Sequence, residues 1–372
     1  MNTLLSSAQQ AQLEQYRAYA LQRIAPVVDK LVTHEHCLKE FLQKLGQDGH
    51  LAANVPKEFG GAGGTLLDTV LFVEAVGELD AGIGMTLGNH VAVIEVLKRF
   101  GSEQQKSKYL PLLARGEAFG TLAFSEENAG TDFEGVAATI GGGNELTASK
   151  RWVVTGDFAS VFLVLAKDAS GKLTVVLADR PADGATFKLE RERKLMGLRS
   201  SYVNDVQFVG LKLAQENTLT GDAREIALHA MDIAKVVLAA AALGLLNECR
   251  DEAVEHARSR QQFGTNIGQF QGVQWKLADM ECERIASGLL IYRAAWSLAA
   301  EPETFRQYAS MCKWYAVRAA RLHSGEAIQI LGSAGIEEGA EVGRFYDDAK
   351  TMEVAQGTAE FQKILLVKEL NI

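Results

Sequence analysis

The hydrophobic pattern divides the chain into three stretches of different period. In the first, Leu13, Tyr16, Tyr19, Ala20 and Ile24 recur at helical spacing, Pro26 interrupts them, and Leu38, Phe41, Leu42 and Leu45 resume the series. Residues 55–64 form a glycine-rich connector; with no strand before it and no G-x-G-x-x-G within it, it does not read as a nucleotide loop. The spacing predicts further helices over 66–78, 91–100 and 103–113. From 120 to 213 short apolar runs alternate with Gly, Asn and Asp turns, and 161–166, 173–178 and 203–211 suit strands. Helical spacing then returns in four long segments, about 225–259, 269–298, 303–332 and 353–370, whose short joins suggest an antiparallel bundle. Three domains are expected: 1–118 helical, 119–222 β, and 223–372 a four-helix bundle.

Two local features refine this outline. Ala239, Ala240, Ala241, Ala242 and Gly244 crowd the first long helix, a composition that lets neighbouring backbones approach closely. Gln356-Gly357-Thr358 breaks the pattern near the C-terminus, so a turn is expected at Gly357 with a last helix opening at Thr358. The apolar run 236–246 falls short of the ~20 residues a bilayer requires and reads as a buried helix, so no membrane span is expected.

At 372 residues, 47% hydrophobic and 23% charged, the chain can bury a large core. Its formal net charge of -9 argues against nucleic acid or an anionic membrane as the main partner. Cys37, Cys249, Cys282 and Cys312 show no C-x-x-C spacing, and residues 1–22 carry neither a long apolar run nor an arginine-rich, acid-poor leader, so a cytoplasmic location is expected. His34 and His36, at i,i+2, would leave a helix on different sides, so no metal site is expected.

Four ordered motifs carry a family resemblance: Ser125-Glu-Glu-Asn-Ala-Gly-Thr-Asp132, Arg260-Gln-Gln-Phe-Gly264, Gln329-Ile-Leu-Gly332, and the stretch from Tyr346 to Gln362 around Gln356-Gly357-Thr358. In order and separation they resemble the acyl-CoA dehydrogenase family across nearly the whole chain. The resemblance implies an α+β multidomain fold with an N-terminal α-helical domain, a middle β-barrel-like domain and a C-terminal four-helix bundle, with FAD between the last two. By position, Phe124 and Ser125 would meet the pyrimidine side of the flavin, with Gly130 and Thr131 on the same loop, and Trp152 would stack near the ring. Arg260 would reach the pyrophosphate from a neighbouring subunit, where its planar fork suits phosphate. Gln262, Phe263, Phe270 and Gln271 would line the adenosine side, and Gln329, Gly332, Ser333, Thr358 and Glu360 would complete the site. Where the family often has a threonine donating to flavin N5 this chain has Val154, with Thr155 beside it, so either the contact is lost or Thr155 supplies it. Substrate contacts would fall to Thr131, Ala234, Lys235, Ala355 and Gly357, in a homotetramer or homodimer.

In the family the α-proton base is usually a glutamate before the Gly-Thr pair, or in some members a glutamate on the first bundle helix. Here those positions hold Gln356 and Ala234. An amide has no useful basicity near neutral pH, so desaturation of an acyl thioester lacks its usual base. Glu353, three residues before Gln356, is the candidate substitute; Asp232, His90 and His229 read more readily as packing or surface residues. Ala355 replaces a frequent tyrosine and leaves room beside the thioester.

The expectation is an FAD-dependent oxidoreductase acting on a CH-CH group, or on a β-carbon CH-OH group, of a thioester held on an acyl carrier protein or CoA. It resembles members that make hydroxymalonyl or aminomalonyl extender units in polyketide and nonribosomal peptide biosynthesis. The alternatives are a desaturase with Glu353 as relocated base, and a silent subunit lending Arg260 to an active relative. An electron-transferring flavoprotein or oxygen would take the electrons.

Overall fold

The computed structural model describes residues 5–34, 37–182 and 184–369. His36, one of the two histidines weighed as metal ligands, lies outside them.

The helices of the first third begin where their caps dictate. α1 (Ser7–Arg23) starts at Ser6, which forms a reciprocal capping box with Gln9. Pro26 ends that run, leaving a 3-10 turn and the short α2 (Val28–Val32), and α3 (Leu38–Gln47) then buries Leu38, Phe41, Leu42 and Leu45. In α4 (Leu66–Gly77) the Asp68 carboxylate reaches back to the Thr65 N–H at 2.7 Å. α5 (Ala81–Phe100) starts at Ala81 rather than at 91, because Asp80 caps the Ile83 N–H at 2.8 Å. It is buried on every side as far as Leu97, so no amphipathic period marks its first half. α6 (Glu103–Ala114) opens on Ser102 and Gln105.

The middle domain is one mixed seven-stranded sheet. Its strands are β1 (Gly120–Ala123), β2 (Thr139–Ile140), β3 (Glu145–Val154), β4 (Val161–Lys167), β5 (Leu173–Asp179), β6 (Phe187–Arg193) and β7 (Val203–Lys212). β4 runs parallel to β1 and β2 and antiparallel to β5, while β2 passes the sheet on to β3, β7 and β6. Phe162, Phe187 and Phe208 pack ring against ring in a small core of its own.

The C-terminal domain comprises α7 (Ala223–Ser259), α8 (Gln271–Ala300), α9 (Phe305–Leu331), α10 (Glu341–Val354) and α11 (Ala359–Glu369). The short hairpin β8 (Gln261–Gln262) and β9 (Thr265–Asn266) joins α7 to α8. The last predicted segment, 353–370, is therefore two helices: one begins earlier, at Glu341, and a turn separates it from the other.

α7 is the hub. By length and composition it could cross a membrane, but its apolar stretch is buried inside the protein, packed against α4, α5, α8 and α9. Its small residues are used within the chain. A Cβ on Gly244 would lie 2.1 Å from the Glu74 carbonyl oxygen, and one on Gly77 would lie 2.4 Å from that of Ala241. Polar groups join the crossing helices as well: Glu74 accepts from the Tyr292 hydroxyl at 2.5 Å and from the Asn247 amide at 3.2 Å. Burial pushes its carboxyl up to about 7. At a second buried point Asp80 accepts from Ser200 and Arg344, and Asp348 accepts the Leu198 N–H at 2.5 Å, latching all three domains together.

Gly244→Ala should destabilise the protein by about 3 kcal/mol, because its methyl meets backbone that cannot move aside. Gly288→Ala on α8, whose Cβ would make only ordinary contacts, should stabilise by up to about 1 kcal/mol; chemical denaturation distinguishes the signs. The Glu74 carboxyl has a folded pKa above its ordinary 4.5, so the stability it contributes is full below that value and lost as pH rises through about 7. Glu74→Gln should remove on the order of 3 kcal/mol of this decline, read as a flatter profile of stability against pH.

Candidate active site

The loop after β1 carries Phe124, Ser125, Gly130 and Thr131, and a buried ion pair sets its shape. Lys150 of β3 is fully buried and donates to Glu126 at 2.6 Å, to the Leu165 carbonyl at 2.7 Å and to the Phe124 carbonyl at 3.2 Å. Glu126 in turn accepts the N–H groups of Ala137 and Ala138, at 2.6 and 3.1 Å. Phe124 is buried beside Phe133, and Gly130 and Thr131 are exposed. The motif comparison does not bring out Lys150; its signal is a lysine at an inward position of β3, in phase with Leu146 and Ala148.

Beside this loop β3 carries a bulge. Its register with β7 shifts between Lys150 and Val153, and there Trp152 adopts a φ of 60°. The bulge turns the indole outward, leaving it 51% exposed, with the Arg193 guanidinium 3.9 Å from its ring centre. Two hydrogen bonds to Asp205, at 2.7 and 2.6 Å, anchor Arg193. Val154 is buried. Thr155 donates its hydroxyl proton to the Val154 carbonyl at 2.7 Å and faces a cavity of about 10 Å³ shared with Thr86 and His90. That bond engages the hydroxyl proton of Thr155 with the residue before it.

The third part is the turn between α10 and α11. Gln356 and Gly357 both take left-handed φ, 53° and 88°, and Thr358 caps α11 by accepting the Phe361 N–H at 3.4 Å. Glu360 is exposed in the first turn of α11; hydrogen bonds from its own N–H and from Thr358 hold its carboxyl below the ordinary range. For a glutamine such a φ costs about 1–2 kcal/mol, so the turn needs a clamp. Lys313 of α9 provides it, donating to the carbonyls of Gly357 at 2.6 Å and Glu353 at 3.1 Å, while Gln362 donates to Gly357 at 3.0 Å. Burial, and then the charge of Lys235, push the Lys313 ammonium down to about 7. That coupling brings the α7 segment after Ala234 within electrostatic reach of the turn. The Gln356 amide is buried at both its oxygen and its nitrogen, and neither has a hydrogen-bond partner among the described residues. Sequence reasoning missed Lys313, although a lysine in the buried stripe Ala309, Ala316, Ala320 signals it.

The candidate bases are committed elsewhere. Burial acts to raise the Glu353 carboxyl, but Lys350 at 2.7 Å and Arg321 at 3.3 Å outweigh it and leave it below its ordinary value. Glu353 is thus an ion-pair partner of both cations. Asp232 is shared by Lys235 at 2.8 Å and Arg306 at 2.9 Å. Lys235 is fully buried on that carboxylate. His90 accepts the Gly120 N–H at 3.2 Å, and burial pushes its imidazole down to about 4. Burial and then Arg99 do the same to His229.

The remaining expected cofactor residues form a second cluster. Arg260 ends α7, Gln262 and Phe263 lie on the hairpin, Phe270 and Gln271 open α8, and Gln329, Gly332 and Ser333 end the antiparallel α9. Phe263 is 94% exposed, and Arg260 is exposed without an ion pair among the described residues. At 1.5 Å per residue, Ala234 and Arg260 stand about 39 Å apart along the length of α7. The residues near Ala234 and those near Arg260 are therefore separated by most of that helix. Both fit a flavin cofactor: the first displays an indole face and an unpartnered amide, the second an unpaired guanidinium and an uncovered aromatic ring.

The family models for the acyl-CoA dehydrogenase N-terminal and C-terminal domains match residues 6–117 and 224–370. An acyl-CoA dehydrogenase of Bacillus subtilis (strain 168) is 30% identical over 364 residues, covering 95% of each chain. Among solved structures, the prolyl acyl carrier protein oxidase AnaB is 28% identical with a TM-score of 0.90, over 99% of this chain and 100% of that one. PigA, solved with FAD and proline, is 25% identical with a TM-score of 0.91, over 100% of this chain and 99% of that one. Matched in both terminal domains and along its whole length, the chain belongs to the acyl-CoA dehydrogenase family, as an FAD-dependent oxidoreductase of acyl thioesters.

Proposed function

We propose that this protein oxidises a carrier-protein-tethered acyl group at a β carbon bearing a hydroxyl, a reaction that needs no α-proton base. The observation that carries this reading is the turn after α10. Gln356 stands where a glutamate would act, Ala234 leaves the second base position empty, and Glu353 is held by Lys350 and Arg321. In the proposed reaction the carbinol C–H bond breaks and its electron pair leaves as hydride, the hydroxyl proton passes to solvent, and a carbonyl forms. Bound FAD supplies the two-electron acceptor, with an electron-transferring flavoprotein or oxygen as the final one.

The chain's own residues supply placement. The Lys150–Glu126 pair fixes the loop of Phe124, Ser125 and Thr131, Trp152 offers a flat apolar surface, and Lys313 fixes the turn. Likeness to a prolyl acyl carrier protein oxidase supports a carrier-protein substrate, and extender-unit formation for polyketides or nonribosomal peptides is the setting that suits such a product. We read Arg260 and Phe263 as completing the site of a second copy in a homodimer or homotetramer. The exposed Trp275, Ile285, Leu289 and Trp296 of α8 would be covered there. A cytoplasmic location is part of the same reading.

Anaerobic titration of the purified holoenzyme should bleach the flavin with a β-hydroxyacyl carrier-protein thioester and not with a saturated acyl-CoA; the reverse result would overturn the reading. Gln356→Glu should gain bleaching by the saturated acyl-CoA, since a carboxylate then stands at the base position. Arg260→Ala should weaken flavin retention about tenfold or more while the apoprotein melts unchanged, measured by flavin fluorescence during dilution.

A further inference from the structure

We propose that the cavity between the end of α2 and the segment joining β6 to β7 is a second ligand site, which takes a phosphate ester with an aromatic body. The cavity has a volume of about 530 Å³, inside the range that small-molecule sites occupy. None of the residues expected to hold FAD or substrate lines it.

Charge selects the ligand. The chain as a whole carries a formal net charge of -9, yet Arg193, Lys194 and Arg199 line this cavity against one carboxylate, Glu192. That carboxylate is already engaged, 3.0 Å from Nδ1 of His34. Asp205 in the same way holds Arg193, which leaves Lys194 and Arg199. Lys194 is exposed and has no ion pair among the described residues. Arg199 donates its Nε proton to the Met196 carbonyl at 3.1 Å, which fixes the guanidinium, and its carboxylate partner Asp347 stands 3.6 Å away. An ammonium and a guanidinium facing one cleft raise the local concentration of anions there. The planar fork of the guanidinium matches the oxygens of a phosphate.

The rest of the lining calls for an organic body on that phosphate. The rings of His34 and Tyr202 stack with centres 3.9 Å apart and planes tilted by 35°, and Val32, Leu195 and Leu198 continue the uncharged surface. Inorganic phosphate would meet the cations and leave that surface bare, whereas an aromatic ring on the ester covers it and gains contact with both rings. His34 also ties the two sides together, because its Nε2 lies 3.0 Å from the Arg199 carbonyl.

The cationic wall is held in shape before any ligand arrives. Leu198 and Tyr202 take left-handed φ, 56° and 45°, which residues other than glycine adopt only where their surroundings impose it. Here α10 imposes it: the Leu198 N–H donates to Asp348 at 2.5 Å and the Gly197 N–H to the Thr351 hydroxyl at 3.1 Å. The Ser201 hydroxyl closes the turn on the Leu198 carbonyl at 2.7 Å. A wall fixed in this way costs an entering ligand little ordering.

The test is titration calorimetry of the FAD-loaded protein at low ionic strength, with adenosine monophosphate, phenyl phosphate, adenosine and inorganic phosphate. At least one of the two esters should bind about tenfold or more tightly than either adenosine or inorganic phosphate. Lys194→Glu and Arg199→Glu should each weaken that binding about tenfold or more, since each replaces an attracting charge with a repelling one. Lys194 is exposed, so its variant serves alone if the Arg199 variant does not fold. Failure of both esters to bind, adenosine or inorganic phosphate binding as tightly as the esters, or ester binding that survives Lys194→Glu would overturn the assignment. The last result would place the phosphate at the flavin or substrate site instead. Because the flavin stays bound and no turnover is read, the outcome does not depend on the reaction proposed above.

Discussion

The closeness of α7 to α4 and α5 is the constraint on which the rest depends. Gly244 meets the backbone of α4 where no Cβ fits, and Gly77 and Gly84 answer it from the other side against Ala241. These contacts fix a helix of 37 residues rigidly against the N-terminal domain. Because that helix is continuous, it also fixes the distance between the residues it carries. Ala234 and Lys235 stand near the turn that carries Gln356, while Arg260 stands about 39 Å away beside an exposed hairpin. One packing interaction thereby holds the turn that carries Gln356 far from the hairpin that carries Phe263.

At the turn that carries Gln356 the governing physics is electrostatic. α10 ends there in carbonyl groups that have no partner within the helix, and the partial negative charge of a helix C-terminus favours a cation. Lys313 supplies it, and its burial beside Lys235 is tolerated because its hydrogen atoms are engaged by backbone oxygens. Asp232 balances Lys235, and Arg306 closes that pair. Asp232 and Glu353 are thus engaged by cations, and among the described residues the neutral amide of Gln356 has no hydrogen-bond partner. Restoring a negative charge at that position would therefore alter the balance around Lys313 as well as the chemistry.

Much of this was legible in the sequence. The change from a period of 3.6 to a period of 2 and back again marks the three domains, because each layer buries one face and the pattern records which. The break at Gln356-Gly357-Thr358 announces the turn. The start of α5 was not legible, since a helix buried on all sides carries no amphipathic signal. The division of the last segment into α10 and α11 was legible only in part, from the glycine and not from the helix before it.

The sequence by itself determined which chemical groups are present: an amide and a methyl at the two positions where a base would act, an aromatic residue and a glycine-containing loop at the ring, an arginine at the end of the long helix. The tertiary structure alone decided what those groups are free to do. Glu353 looks available in the sequence and is bound to Lys350 and Arg321 in the fold; Thr155 looks able to replace a missing donor and spends its proton on the Val154 carbonyl. Lys313 and Lys150 are buried, and the carbonyls and carboxylate they hold come from distant parts of the chain. The reason is physical: residue identity sets the capacity to donate, accept or carry charge, whereas burial and the partners brought from distant parts of the chain decide whether that capacity is already used.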